Sequence, residues 1–165
     1  MRLPRRSLPL AAVLVVGTAC SASTAVPTPT STVVSTSTTA RPASDVFTIG
    51  VITPRTGANT ELGTSIRTGV QLALDDMNAA GGVNGHAVNV VQRDEGDDPA
   101  ATALAVQDLI QLGADAIIGP TSSVDVLGTL RTTVRAGILS CSPTATALAL
   151  DAFPSDGLFF RTIPS

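Results

Sequence analysis

Lysine, tryptophan and tyrosine are absent from these 165 residues, and only four Phe, two Cys and one His occur. So few aromatic rings leave almost no material for base stacking or an aromatic cage. Without lysine a G-x-x-x-x-G-K-[ST] phosphate loop is impossible, and no G-x-G-x-x-G follows the first strand-like run. Two Cys and one His cannot complete a Cys/His zinc site. Every Lys/Arg charge is an arginine: ten, against eleven Asp and two Glu. The net charge of −3 and pI near 4.9 argue against a nucleic-acid binder, which would carry a basic footprint. What is present is apolar: 44% hydrophobic, 14% charged, mean hydropathy +0.35. That is too apolar for a disordered chain, and 14 Gly with 11 Pro interrupt it too often for a membrane bundle. The length suits one domain, or part of a larger one.

The first residues read as an address. Arg2, Arg5 and Arg6 precede an apolar run, Leu8–Val16, too short to serve comfortably as a permanent span. Gly17-Thr18-Ala19-Cys20 follows, and a Cys after small residues and an apolar run is similar to a bacterial lipobox. That motif usually has an aliphatic residue where Gly17 stands. Residues 1–19 are therefore expected to be a lipoprotein-type signal peptide, with Cys20 as the acylated new N-terminus. Ordinary secretory cleavage after Ser23-Thr24-Ala25 is the alternative. Residues 20–44 are expected to be a disordered linker, since thirteen of the residues Ser21–Ser44 are Ser or Thr, interrupted by Pro27, Pro29 and Pro42. Extended, that stretch would reach roughly 75 Å at ~3.1 Å per residue. A chain lacking residues 1–19 keeps seven Arg against thirteen acids, a net charge of −6.

From Asp45 onward strand and helix patterns alternate. Val46–Ile52 reads as a strand. Ile66, Val70, Ala73, Leu74 and Met77 fall on one helical stripe within Gly63–Ala80, and Gly81-Gly82 stops it. Ala87–Gln92 is a second strand. Asp98-Pro99 opens a helix to about Leu112 as N-cap and N1 proline. Asp115–Gly119 is a third strand, Val124–Ala136 a third helix and Ile138–Cys141 a fourth strand. A loop with a possible helical turn leads to the apolar stretch Leu158–Arg161. The expected fold is α/β, a doubly wound parallel sheet in the order 2-1-3-4-5. Ligands of such sheets bind beyond the carboxyl ends of the strands. That rule selects three loops: Thr53–Leu62, Pro120–Ser123 and Ser142–Thr146.

Those loops are rich in hydroxyls and poor in charge. Pro120-Thr121-Ser122-Ser123 joins a strand to a helix start, so its hydroxyls and the first helical N–H groups suit an anion such as a carboxylate. Each Ser or Thr could equally be a cap or turn residue. His86 sits at the start of the second strand, at the other end of the sheet, and cannot serve Ser123 as a base. Turn chemistry at Gly85-His86 makes it an exposed hairpin residue. The run Asp94-Glu95-Gly96-Asp97-Asp98 lacks EF-hand spacing and is read as structural, with Asp97 and Asp98 favouring a helix start. No metal or cofactor is expected. Cys141 is expected to be an inert core thiol.

Several segments carry a resemblance: FTIGVITPRTG, Gly69–Gly85 with its N-A-A-G-G-V-N-G end, Asp94–Ala101, AIIGPTSS, SPTATALAL and FFRTIPS. Over Phe47–Ser165 the chain resembles the extracytoplasmic substrate-binding proteins of ABC transporters, of the type I fold that binds leucine, isoleucine and valine. The resemblance implies that residues 45–165 are the N-terminal lobe of such a domain, truncated. It implies that Ser123, closing the G-P-x-x-S loop, bonds the ligand carboxylate. It implies that the Thr144 carbonyl faces the ammonium, and that the N–H and hydroxyl of Thr146 serve both charged groups. Leu62, before Gly63, stands where the family often places an aromatic ring against the ligand. The family's second lobe, which brings an acidic residue and closes by a hinge, lies beyond these 165 residues.

The implied function is capture of a small, branched-chain type amino acid for uptake, with an ABC transporter permease as partner, a lipid anchor in the membrane, and no catalysis. A ligand-sensing ectodomain of the same fold is the alternative. An enzyme on a flavodoxin-like or Rossmann-like sheet is a further one, without a phosphate fingerprint or a usable base.

Overall fold

A computed structural model describes residues 44–165; the expected signal peptide, Cys20 and the linker up to Ala43 lie outside the described residues. The β-branched run TIGVIT makes β1 (Thr48–Thr53), in which every residue but Ile49 is buried. It is followed by α1 (Thr60–Ala79), β2 (Asn89–Asp94), α2 (Pro99–Gln111), β3 (Ala116–Ile118), α3 (Ser123–Arg135) and β4 (Leu139–Ser142). A 3-10 turn (Leu148–Leu150) then leads to β5 (Phe159–Arg161). All strand pairs are parallel, and the order is β2-β1-β3-β4-β5, as the alternating pattern predicts. Among the described residues no helix is long and apolar enough to cross a membrane.

Local chemistry explains the boundaries. Asp98 caps α2 by accepting the Ala100 N–H at 3.0 Å, and Pro99 takes the first helical position. Two strands start later than the apolar pattern suggests, β1 at Thr48 rather than Val46 and β2 at Asn89 rather than Ala87. The Asn89 N–H already donates to the Phe47 carbonyl, so the ladder opens at that pair. The first helix begins at Thr60 rather than Gly63, with the Thr60 hydroxyl donating to the Gly57 carbonyl.

The two faces of the sheet differ. Connections running from β2 through β3 to β4 carry α2 and α3 to one face, where the two helices pack on each other. There Ile52, Val106, Leu109, Ala114, Ile117 and Ile138 form one buried cluster. Val126, Leu130, Ala145 and Leu150 form a second, beneath the 3-10 turn. Each large aliphatic side chain so buried contributes about 1.5–3 kcal/mol. The Arg93–Asp108 ion pair, at 2.5 Å, ties β2 to α2 on that face.

The opposite connection, β1 to β2, puts α1 on the other face. Of its expected apolar stripe only Leu74 is buried, and Met77 is 38% exposed. The stripe exists, but α1 meets the sheet chiefly at β1. Val51, Ile118, Cys141 and Phe160 stand in register across four strands, buried at Val51 and open at Phe160, and Ile49, Ala116 and Leu139 form a second row. Phe160 is 53% and Leu139 39% exposed. Cys141 is consequently half-buried rather than a core thiol, although burial still pushes its thiol pKa up.

Candidate functional site

The candidate site is built where the carboxyl ends of β1, β3 and β4 meet. Two glycines let these ends approach. A Cβ on Gly119 would stand 2.0 Å from the Ile52 carbonyl oxygen, and its φ of +102° suits only glycine. It leads through a cis Gly119–Pro120 bond into Thr121, Ser122 and α3. A Cβ on Gly63 would stand 1.9 Å from the Pro54 carbonyl oxygen, so Gly63 admits the first turn of α1 against the end of β1. Arg67 fixes the same junction, donating to Thr53 Oγ1 and the Pro54 carbonyl, each at 3.0 Å.

Two of the four residues expected at the ligand, Ser123 and Thr146, are joined by a hydrogen bond, and a third, Thr144, bonds to the loop that carries Ser123. Ser123 Oγ accepts the Thr146 N–H at 3.1 Å and the Ala147 N–H at 3.2 Å. Thr144 Oγ1 donates to the Thr121 carbonyl at 2.8 Å. The loop after β3 and the loop after β4 are thus stitched into one surface. The Thr146 N–H, expected to meet the ligand, donates instead to Ser123, while the Thr146 residue is exposed. Leu62 stands on a separate element, in the first turn of α1, and is 40% exposed. Ser122 occupies the N-cap of α3 without a side-chain cap bond.

The β4 loop is also held from beneath. Ser142 Oγ donates to the Pro120 carbonyl at 2.6 Å and accepts the Ala145 N–H at 3.2 Å. Arg161 of β5 donates to the Ala147 carbonyl at 3.2 Å and is paired with Asp151. Ala145 is fully buried between these supports.

The residue least expected is Glu95. The sequence places it in an acidic run read as structural, with no role of its own, yet it is 1% exposed. Its carboxylate takes the Thr121 N–H (2.9 Å to each oxygen), the Thr121 hydroxyl (2.8 Å) and the Ser122 N–H (3.0 Å). The Thr121 hydroxyl, one of the loop hydroxyls expected to suit an external anion, is therefore held by the chain's own carboxylate, together with the two N–H groups just before α3. Burial pushes the Glu95 pKa up, against these bonds, and Asp125 adds to the rise. One signal for it exists: Val91 and Arg93 alternate toward α2, and Glu95 continues that alternation past the end of β2.

Its neighbour Asp94 is used differently. Asp94 accepts the Thr56 hydroxyl (2.6 Å) and the N–H groups of Arg55, Thr56 and Gly96. These bonds, the Thr56 hydroxyl foremost, hold its pKa down at about 2. The acidic run is structural, as expected, but as a pair of loop clasps more than as helix-dipole partners. A cleft of about 300 Å³ lies beside it, lined among others by Pro54, Asn59, Glu95, Asp97 and Asp125. Its acidic wall suits no ligand carboxylate, and Ser123, Thr144, Thr146 and Leu62 do not line it. His86 is exposed in a tight turn bridged to Val83, before β2 begins and so at the far end of the sheet from Ser123.

Comparison with known proteins gives this edge a context. A family profile described as periplasmic binding protein matches residues 46–165. A protein of Pseudomonas aeruginosa named amino acid binding protein is 36% identical over 99 residues, 59% of this chain and 26% of its own length. The Leu/Ile/Val-binding protein BraC3 of Rhizobium johnstonii is 31% identical over 101 residues, 61% of this chain and 28% of its own. Among solved structures, the branched-chain amino acid transporter substrate-binding protein LivJ of Streptococcus pneumoniae, in complex with isoleucine, superposes with a TM-score of 0.66. It is 31% identical, and the match covers 70% of this chain and 33% of that one. The chain thus spans about a third or less of the length of these relatives. With the family profile over most of its length and the sheet order of a type I lobe, the chain belongs to the periplasmic binding protein family.

Proposed function

We propose that this chain supplies one lobe of a solute-binding lipoprotein that captures a small amino acid, of the branched-chain type, for an ABC transporter permease. The observation that carries the reading is the junction of Ser123, Thr144 and Thr146 at the carboxyl ends of β3 and β4, beside an α3 first turn without a side-chain cap. The names of the relatives support the ligand class.

In this reading the ligand carboxylate meets the Ser123 hydroxyl, the Thr146 hydroxyl and the first-turn amides of α3. These are neutral donors, strengthened by the helix dipole, and suit a zwitterion without a full counter-charge. The Thr144 carbonyl accepts from the ammonium, and Leu62 offers apolar contact. A second lobe supplies the acidic partner of the ammonium and excludes water on closing. Export follows from residues 1–19 and anchoring from acylated Cys20, with residues 20–44 as the tether.

Calorimetric titration of the complete protein with leucine, isoleucine and valine tests the reading. Binding near micromolar is expected. For residues 45–165 alone roughly millimolar is expected, a gap of ~4 kcal/mol. No heat with any of the three overturns the ligand assignment. Micromolar binding by residues 45–165 alone overturns the one-lobe assignment.

A further inference from the structure

We propose that Glu95 is the positioning residue of this binding edge: it fills the anion hole at the entry to α3 with the chain's own carboxylate and so sets where Ser123 meets the loop after β4. The proposal rests on the binding reading above for its consequence, but not for its geometry.

Glu95 joins four strand exits. Its own N–H donates to the Thr53 carbonyl at the end of β1, at 3.0 Å. Its carbonyl accepts the Thr102 hydroxyl of α2 at 2.8 Å, and Thr102 is fully buried. Its carboxylate gathers Thr121 and Ser122 after β3, and the Thr121 carbonyl in turn accepts Thr144 after β4. Ser123 is the next residue along this held backbone, and its hydroxyl oxygen receives Thr146 and Ala147. A buried carboxylate is costly unless such donors compensate it. A leucine or methionine would fill the volume without that cost, but could not hold two N–H groups and a hydroxyl together.

The Thr121 and Ser122 amides and the Thr121 hydroxyl are taken, so an external anion is left with the other loop hydroxyls and the first amides of α3 itself. A negative charge already sits at that helix start, which favours ligands whose carboxylate is balanced by an ammonium over ligands with net negative charge.

The side chain's chemistry defines the test in the full chain. Glu95→Gln keeps an oxygen for both N–H groups, and its amide can donate to the Thr121 hydroxyl, which rotates to accept. Glu95→Ala leaves three donors unmet around a space that acetate can enter. Two readouts are taken: hydrogen–deuterium exchange over residues 144–150, and affinity for leucine, isoleucine and valine. Glu95→Ala is expected to exchange faster there and to bind about tenfold or more weakly, as for loss of hydrogen bonds to a charged group. Acetate should reverse both effects in Glu95→Ala, chloride neither, and acetate should leave the parent protein unchanged. Glu95→Gln should keep the parent's exchange. Parent-like exchange in Glu95→Ala, or no response to acetate, overturns the proposal. Where Glu95→Ala does not fold, Glu95→Asp decides, since its carboxylate is drawn back by one methylene. Faster exchange over 144–150 supports the assignment and unchanged exchange overturns it. A parent protein that binds none of the three amino acids refutes the binding reading alone, because the exchange readout still decides Glu95.

Discussion

Ser123 and Thr146, twenty-three residues apart, are joined by a 3.1 Å bond in which the Thr146 backbone N–H donates to the Ser123 hydroxyl oxygen. The donor is a backbone group, so the two residues answer differently to truncation. Ser123→Ala removes the acceptor of two amides and, in the proposed binding mode, a donor to the ligand. Its affinity is expected to fall ten- to a hundredfold, about 1.5–3 kcal/mol, with a lower melting temperature. Thr146→Ala keeps its N–H on Ser123. It should lose affinity through the missing hydroxyl while melting like the parent. Calorimetry and thermal melts on the complete protein check both, and unchanged affinity in the two variants would place the carboxylate elsewhere.

The adjacent acids Asp94 and Glu95 predict opposite pH limbs. The depressed pKa of Asp94, about 2 against 3.8, contributes stability that is full above its unfolded pKa and is lost as pH falls toward 2. Its bonds are solvent-exposed, so the contribution is on the order of 1 kcal/mol. Glu95 has a raised pKa, so its contribution is greatest below the unfolded value of 4.5 and is lost as pH rises through the folded one. Melting temperatures from pH 2 to 7 should therefore show the deficit of Asp94→Asn shrinking toward pH 2. Over the same series any advantage of Glu95→Gln should grow from about pH 4.5 upward. A Glu95→Gln difference that is flat with pH would show that the carboxyl does not titrate in this range.

These two residues also mark where sequence reading succeeds and where it stops. The sheet order was legible because Asp98-Pro99, the Gly81-Gly82 stop and the short apolar runs each have a local physical cause. Leu74 and the unburied Met77 share one periodic stripe, and periodicity alone cannot tell how much of a stripe finds a partner. Loop position and resemblance are enough to propose Ser123 and Thr144 as ligand residues, and the loop-to-loop bonds they make are what the structure adds. Glu95 could not be named that way, because its burial depends on amides twenty-six residues away. A charged residue in an acidic run carries no sign of such a long-range partner beyond the strand alternation.

The lipid-anchor reading makes a chemical prediction at Cys20. Acylation adds ~0.8 kcal/mol of membrane affinity per buried CH₂, so two or three chains would hold the protein firmly. Metabolic labelling with a fatty-acid analogue should mark the parent and not Cys20→Ala. Equal labelling of both, or none of either, would remove the anchor from the reading and leave ordinary secretory cleavage.

The α1 face of the sheet is buried at β1 and opens toward β5. Val51, Ile118, Cys141 and Phe160 form an in-register apolar row from β1 to β5, flanked by Leu139, and exposure rises along it to 53% at Phe160. Apolar area in contact with water contributes roughly 25 cal/mol per Å² when removed from it, so two such faces gain by meeting. Beside them β5 stands last in the order and, among the described residues, offers an unpaired edge. Residues 44–165 expressed alone should therefore self-associate with concentration and bind an apolar dye. Leu139→Thr combined with Phe160→Thr should reduce both, because Thr retains strand propensity while removing most of the apolar area. Sedimentation velocity over a concentration series is the measurement. A parent fragment that stays monomeric at its highest soluble concentration, or an association that the double substitution leaves unchanged, would show that this row is not the surface that drives contact.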